Sequence, residues 1–175
     1  MIVKNKHPQS KDRGFTLLLA ALISSIVLSL GTAVFSIAQK EQVLSSVGRN
    51  SQFAFYAADT AAECALYWDT RSDIHPNTFA TSTASTGSAA SITCDQQSPP
   101  LTLSAVSANS ATTTFSYAPN GLCATVILSK SQNASGVVTT VIHADGFSTK
   151  GAMGTCAADI AADAKALQRS IELRY

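Results

Sequence analysis

Four cysteines are the side chains best suited to chemistry in this sequence: Cys64, Cys94, Cys123 and Cys156. Successive cysteines lie about 30 residues apart and none belongs to a CxxC pair, so the spacing fits neither a zinc knuckle nor a thioredoxin-type redox motif. Disulfide bonds are the chemistry that this pattern favours. Because disulfides persist outside the cytoplasm, the cysteines predict a folded region in an oxidising compartment.

The other candidate groups form no catalytic or metal-binding pattern. His7, His75 and His143 are scattered, with no HExxH motif and no partner four residues away, and the sequence has no GxSxG, P-loop or GxGxxG motif. Asp59 and Glu63 stand four residues apart, but such a spacing is more typical of the solvated face of a helix than of a catalytic carboxylate pair. We therefore predict a non-enzyme with no metal ion and no cofactor.

The net charge of +1 is unevenly distributed. Residues 1–14 carry four basic side chains against the single carboxylate of Asp12, a net charge of +3, which leaves −2 for the rest of the chain. A slightly acidic body lacks the positive field that attracts a phosphate backbone. The sequence therefore gives no strong signal for nucleic-acid binding.

Residues 15–38 form an uncharged segment rich in Leu, Ile, Val and Ala. As an α-helix it would be about 36 Å long, which is enough to cross a bilayer. The basic residues precede it, so the positive-inside rule places residues 1–14 in the cytoplasm and the C-terminal part outside. A secretory signal has a shorter apolar core followed by a cleavage site, so we expect this segment to stay in the mature protein.

The boundary of this segment carries a family resemblance. The run Arg13, Gly14, Phe15, Thr16 and Leu17 after a short basic leader resembles the signal of type IV prepilins. The resemblance implies that prepilin peptidase cleaves between Gly14 and Phe15 and that Phe15 is then N-methylated. It also implies the inner membrane as the first location, and then a pilus or pseudopilus.

Two positions of this helix bear on assembly. Type IV pilins usually carry glutamate at the fifth mature position, where this sequence has Leu19. Within the family, some minor pilins and the tip pseudopilin of type II secretion also lack this glutamate, so the resemblance implies a subunit at the tip or in the initiation complex. Gly31, near several serines, would permit close approach of another helix. The alternative to a tip or initiation role is an ordinary subunit that tolerates Leu19 and relies on apolar packing alone.

Residues 39–70 contain no proline and predict the continuation of the same helix. Residues at three- and four-residue spacing define one stripe that we expect to pack on a sheet. The stripe consists of Val43, Val47, Asn50, Ala54, Ala57, Ala61, Cys64 and Trp68.

Residues 71–175 predict an extracytoplasmic head. Residues 78–114 are rich in Ser and Thr and indicate loops, with an edge strand at 91–94. Alternating patterns then predict strands at 113–117, 123–128, 137–144 and 167–175, with a turn at Pro119, Asn120 and Gly121. The predicted fold class is α+β and pilin-like: one long N-terminal helix packed against a small antiparallel sheet.

This strand order favours one pairing of the cysteines. Cys123 begins one predicted strand and Cys156 lies in the loop after the next, whose antiparallel course returns the chain to the same end of the sheet. This favours a bond from Cys123 to Cys156 and leaves Cys64 with Cys94. Four cysteines allow three pairings, and the sequence does not decide among them.

The functional prediction is a minor type IV pilin or pseudopilin, a structural subunit of a pilus or of a secretion or uptake pseudopilus. Its expected partners are other pilin subunits, the assembly machinery, prepilin peptidase and the inner membrane. The alternative is a single-pass, membrane-anchored adhesive or ligand-binding domain that does not polymerise. In that case the leader would stay uncleaved. The ligand of the head is not specified by the sequence in either case.

Overall fold

The computed structural model of the chain describes residues 13–71, 78–82, 91–104 and 106–175. The predicted leader up to residue 12 lies outside these ranges, as does His75. The chain divides into two compact units, Met1–Ser46 and Val47–Tyr175. Its helices and strands are, in order, α1 (Arg13–Thr70), β1 (Thr102–Ser104), β2 (Ser110–Tyr117), β3 (Leu122–Gln132), β4 (Val138–Lys150), α2 (Cys156–Ala162) and β5 (Gln168–Arg174).

The second unit has an α+β architecture, as predicted: the C-terminal half of α1 packs against a five-stranded antiparallel sheet in the order β1-β2-β3-β4-β5. Each strand pairs with its neighbour in sequence, so the sheet is a simple meander. One row of facing residues runs through Phe115, Val126, Ala144 and Ile171. These side chains point towards α1 and form the centre of the core.

An alanine face lets α1 lie close to the sheet. The completely or almost completely buried residues of this face are Ala54, Ala57, Ala58, Ala61, Ala62 and Ala65. Of the predicted stripe, Cys64 and Trp68 are half-buried, whereas Val43 and Val47 are 64% and 43% exposed. The prediction is therefore wrong for the two valines, since the buried face begins only at Ala54.

Gly146, in β4, is the closest point of this contact. A Cβ atom at this position would collide with the carbonyl oxygen of Ala54 and the backbone nitrogen of Ala58. Only glycine has no Cβ atom, so Gly146 allows the backbone of β4 to touch the backbone of α1.

The four predicted strands correspond to β2, β3, β4 and β5, most of them longer than predicted. The predicted turn is also present, with Asn120 and Gly121 at φ values of 51° and 76°. This left-handed conformation is one that Asn and Gly adopt readily, so the turn follows from its residues.

Two other predictions are wrong. Residues 91–94 do not form the edge strand: Cys94 makes only an isolated bridge to Gln97, and the edge strand is Thr102–Ser104. The backbone turns back at once because Asp95 has a φ of 48° and the next residue is also left-handed. Cys156, predicted in a loop, begins helix α2.

Candidate assembly surface

The predicted processing residues lie in the first turn of α1. The helix begins at Arg13, Phe15 is 70% exposed, and among the described residues no atom outside the adjacent helix backbone lies within 4 Å of where a Cβ of Gly14 would be. The described part of the chain therefore places no steric demand for glycine at this position. The leader that precedes it lies outside the described residues.

In the first unit, every described side chain from Gly14 to Ser46 is exposed. These exposed side chains include many large apolar ones: Phe15, Leu17, Leu18, Leu22, Ile23, Ile26, Val27, Leu28, Leu30, Val34, Phe35 and Ile37. By length and composition, α1 is a helix that could cross a membrane. A helix that is apolar all round and uncovered by its own chain needs lipid or another protein around it.

Four hydroxyl groups of this segment donate hydrogen bonds within the helix. Ser24 Oγ donates to the carbonyl oxygen of Ala20 at 2.7 Å, and Ser25, Ser29 and Thr32 each donate to the carbonyl three residues earlier at 2.8 to 2.9 Å. Such back-bonding removes the cost of placing a hydroxyl in an apolar environment. These polar residues are therefore compatible with a lipid or helix-packing surface.

Leu19 and Gly31 are both available to a partner. Leu19 is 46% exposed, and no atom lies within 4 Å of a Cβ built on Gly31. Gly31 lines a shallow, mainly apolar groove together with Val27 and Phe35, among others. Such a groove can receive an apolar side chain of another helix.

Two disulfides join the cysteines as the sequence favoured. Cys64 is bonded to Cys94, which ties α1 to the loop before β1, and Cys123 is bonded to Cys156, which ties β3 to α2. Trp68 Nε1 donates to the carbonyl oxygen of Thr93 at 3.1 Å, next to the first bond. These bonds fix both loop regions of the head to its regular elements.

The head also has features suited to a ligand. A cleft of about 410 Å³ lies beside Gly151 and is lined by Asp95, Gln97, Gly121 and Met153, among others. On the outer face of the sheet, His143 Nε2 lies 3.2 Å from Asp145 Oδ1. Among the described residues, no three His, Cys, Asp or Glu side chains are placed to hold a metal ion.

Sequence reasoning missed a polar cluster at the C-terminal end of α1. The Asp69 carboxylate is only 4% exposed, and Lys130 Nζ, on β3, lies 2.5 Å from its Oδ1 atom. Tyr175 donates its hydroxyl to Asp69 Oδ2 at 2.7 Å, and Thr140 Oγ1 donates to the same oxygen at 3.3 Å. Burial and the hydrogen bond to Asp69 raise the pKa of Tyr175 above its usual value. The four residues are far apart in sequence, so no local pattern announces the cluster.

No protein-family model, no curated protein and no solved structure matches the chain. The functional inference therefore depends on the residues themselves: the motif at the start of α1, the exposed apolar helix and the disulfide-bonded α+β head.

Proposed function

We propose that this protein is a minor type IV pilin or pseudopilin. The observation that carries the proposal is the N-terminal half of α1, in which every described side chain from Gly14 to Ser46 is exposed although residues 15–38 are uncharged and rich in Leu, Ile, Val and Ala. A single helix of this kind belongs first in a bilayer and then in a bundle of like helices. The same helix continues into the head, where it packs on an antiparallel sheet.

The proposed mechanism is assembly. The basic leader stays in the cytoplasm and the head lies outside, where its two disulfides can form. Prepilin peptidase removes the leader after Gly14, and Phe15 becomes the methylated N-terminus. The machinery then moves the helix from the lipid into a filament, with the Gly31 groove as one contact. Since Leu19 offers no carboxylate to the N-terminus of a neighbour, the subunit acts at the tip or in the initiation complex.

Co-expression with a prepilin peptidase tests the proposal. We expect mass spectrometry of the N-terminus to show a mature chain that begins at methylated Phe15, whereas Gly14→Ala should block cleavage. Among the described residues, no atom outside the adjacent helix backbone lies within 4 Å of a Cβ at Gly14, so we expect an alanine there to leave the fold unchanged. The control is Gly48→Ala, a substitution with the same steric freedom away from the leader. An intact leader in both wild type and control would contradict the proposal.

The cleft beside Gly151 favours a second candidate, a membrane-anchored ligand-binding domain that does not polymerise. The two functions differ in their N-terminus: the anchored domain keeps its leader. They differ also in cross-linking within the membrane fraction. The Val27→Cys variant should cross-link to other pilin subunits if the protein is a pilin, but not if it is an anchored domain that does not polymerise.

A further inference from the structure

The Asp69 cluster contains a buried ion pair with an unusual geometry. Among the described residues, Asp69 Oδ1 has no hydrogen-bond partner, although Lys130 Nζ lies 2.5 Å away. The ammonium group is therefore in contact with this oxygen without the alignment of a directed hydrogen bond. A buried carboxylate oxygen that contacts an ammonium group but accepts no hydrogen bond calls for an explanation.

Burial changes the chemistry that such a pair can perform. The side chain of Lys130 is 14% exposed and that of Asp69 4% exposed, so both charges have lost most of their hydration. Transfer of one proton from Lys130 to Asp69 Oδ1 would leave an amine in contact with a carboxylic acid.

The other carboxylate oxygen, Asp69 Oδ2, accepts hydrogen bonds in the way that the oxygen of an acyl group does in an oxyanion hole. Both hydrogen bonds to Asp69, from Tyr175 and Thr140, go to Oδ2. Two donors at one oxygen stabilise the negative charge that develops there when a nucleophile adds to the carbon. Lys130 Nζ is held 2.5 Å from Oδ1 on the same carboxyl carbon, and such fixed proximity replaces a large entropic cost.

We propose that Lys130 and Asp69 join in an intramolecular amide bond. One proton passes from the ammonium group to Asp69 Oδ1, and the amine nitrogen then attacks Cγ, with the charge on Oδ2 stabilised by the Tyr175 and Thr140 hydroxyls. The Cγ–Oδ1 bond breaks, and Oδ1 leaves as water with a second proton from the nitrogen. The amide retains the third proton, and no oxidant, metal or cofactor is required.

The bond would connect the last turn of α1 to the central strand β3. It would persist under reducing conditions, unlike the two disulfides, so the helix could not be pulled from the sheet even after reduction. The inference concerns the head alone, and its outcome does not depend on whether the leader is cleaved or the chain polymerises.

Peptide mapping of the full-length chain, purified from membranes in detergent, tests the proposal. Cys64–Cys94 joins the same two segments, so the chain must first be reduced and alkylated. Trypsin should then fail to cut after Lys130, and residues 50–71 should be recovered joined to residues 72–150 with the mass of one water missing. Complete cleavage after Lys130 and a free peptide of residues 50–71 would overturn the proposal.

Three variants separate an amide from an ion pair. Lys130→Arg keeps the positive charge but should yield no joined peptide. Lys150→Arg, at an exposed lysine in β4, should leave the joined peptide at its wild-type yield. Tyr175→Phe removes one donor to Oδ2 and should slow formation of the bond in a pulse-chase experiment. A joined peptide in Lys130→Arg, or a wild-type rate in Tyr175→Phe, would contradict the assigned chemistry.

Discussion

The two halves of α1 show how one helix can carry two different kinds of apolar surface. Up to Ser46 its apolar side chains are mostly large and all exposed, whereas from Ala54 onwards its buried face consists of alanines. Large side chains distributed all round a helix cannot be covered by one small sheet, and the described part of the chain leaves them exposed. Alanines on one face leave room for the sheet itself to approach. Side-chain size and distribution, more than total hydropathy, separate the exposed apolar segment from the internal core.

The largest effect is expected from a glycine of the head, and a glycine of the exposed segment provides its comparison. Gly146→Val should prevent the head from folding, because even a Cβ atom collides with the backbone of α1. Gly31→Ala meets no atom within 4 Å, so it should stabilise the helix by about 1 kcal/mol in a monomer. Chemical denaturation in detergent, followed by the fluorescence of Trp68, measures the first effect, and thermal loss of helical circular dichroism measures the second. A folded Gly146→Val head would show that the contact is not close.

The disulfides should matter only to the second region. Replacing Cys123 and Cys156 together by serine should lower the free energy of unfolding of the head by about 2 to 4 kcal/mol. The helical signal of the exposed apolar segment should be unchanged, since both bonds lie within the second unit. Denaturant titration by near-UV and far-UV circular dichroism separates the two. Simultaneous loss of both signals would mean that the regions unfold together.

A matched pair of alanines sharpens the comparison at single residues. Ala61→Leu should destabilise the head by about 1 to 3 kcal/mol, because Ala61 is completely buried between α1 and the sheet. Ala33→Leu, in the exposed segment, should leave the stability of the isolated subunit unchanged. The denaturation midpoints of both variants provide the test. Equal midpoints would argue against a difference in packing between the regions.

The smallest effect is expected at alkaline pH. Burial, with the nearby charge of Asp95, raises the pKa of the Tyr117 hydroxyl, which donates to the carbonyl oxygen of Thr60 at 3.2 Å. A raised pKa in the folded state means that stability is fully present below the usual tyrosine pKa of about 10 and declines as the pH rises above it. Tyr117→Phe should flatten this decline at a cost of about 1 kcal/mol at neutral pH. Denaturation between neutral and alkaline pH measures the slope, and an unchanged slope would exclude Tyr117 as its source.

Most of the secondary structure could be predicted because its signals are local. Four of the five strands follow from alternation over a few residues, and the turn at Asn120 follows from conformations that Asn and Gly adopt readily. Strand order favoured the observed cysteine pairing without deciding it, because neighbouring antiparallel strands bring defined ends together but four cysteines allow three pairings. The edge strand was misplaced since neither 91–94 nor 102–104 has a strong alternating pattern. The candidate processing residues came from a short motif that needs no tertiary information.

The sequence by itself determined that this protein has a long apolar helix, a Ser/Thr-rich head with antiparallel strands, and cysteines suited to disulfides. Only the tertiary structure decided which face of α1 is buried, that Gly146 marks the closest approach, and that Asp69 meets Lys130 and Tyr175. The physical reason is the sequence separation over which the interactions act. Periodicity and turn conformation depend on neighbours along the chain, whereas burial and side-chain pairing depend on how segments many residues apart pack together.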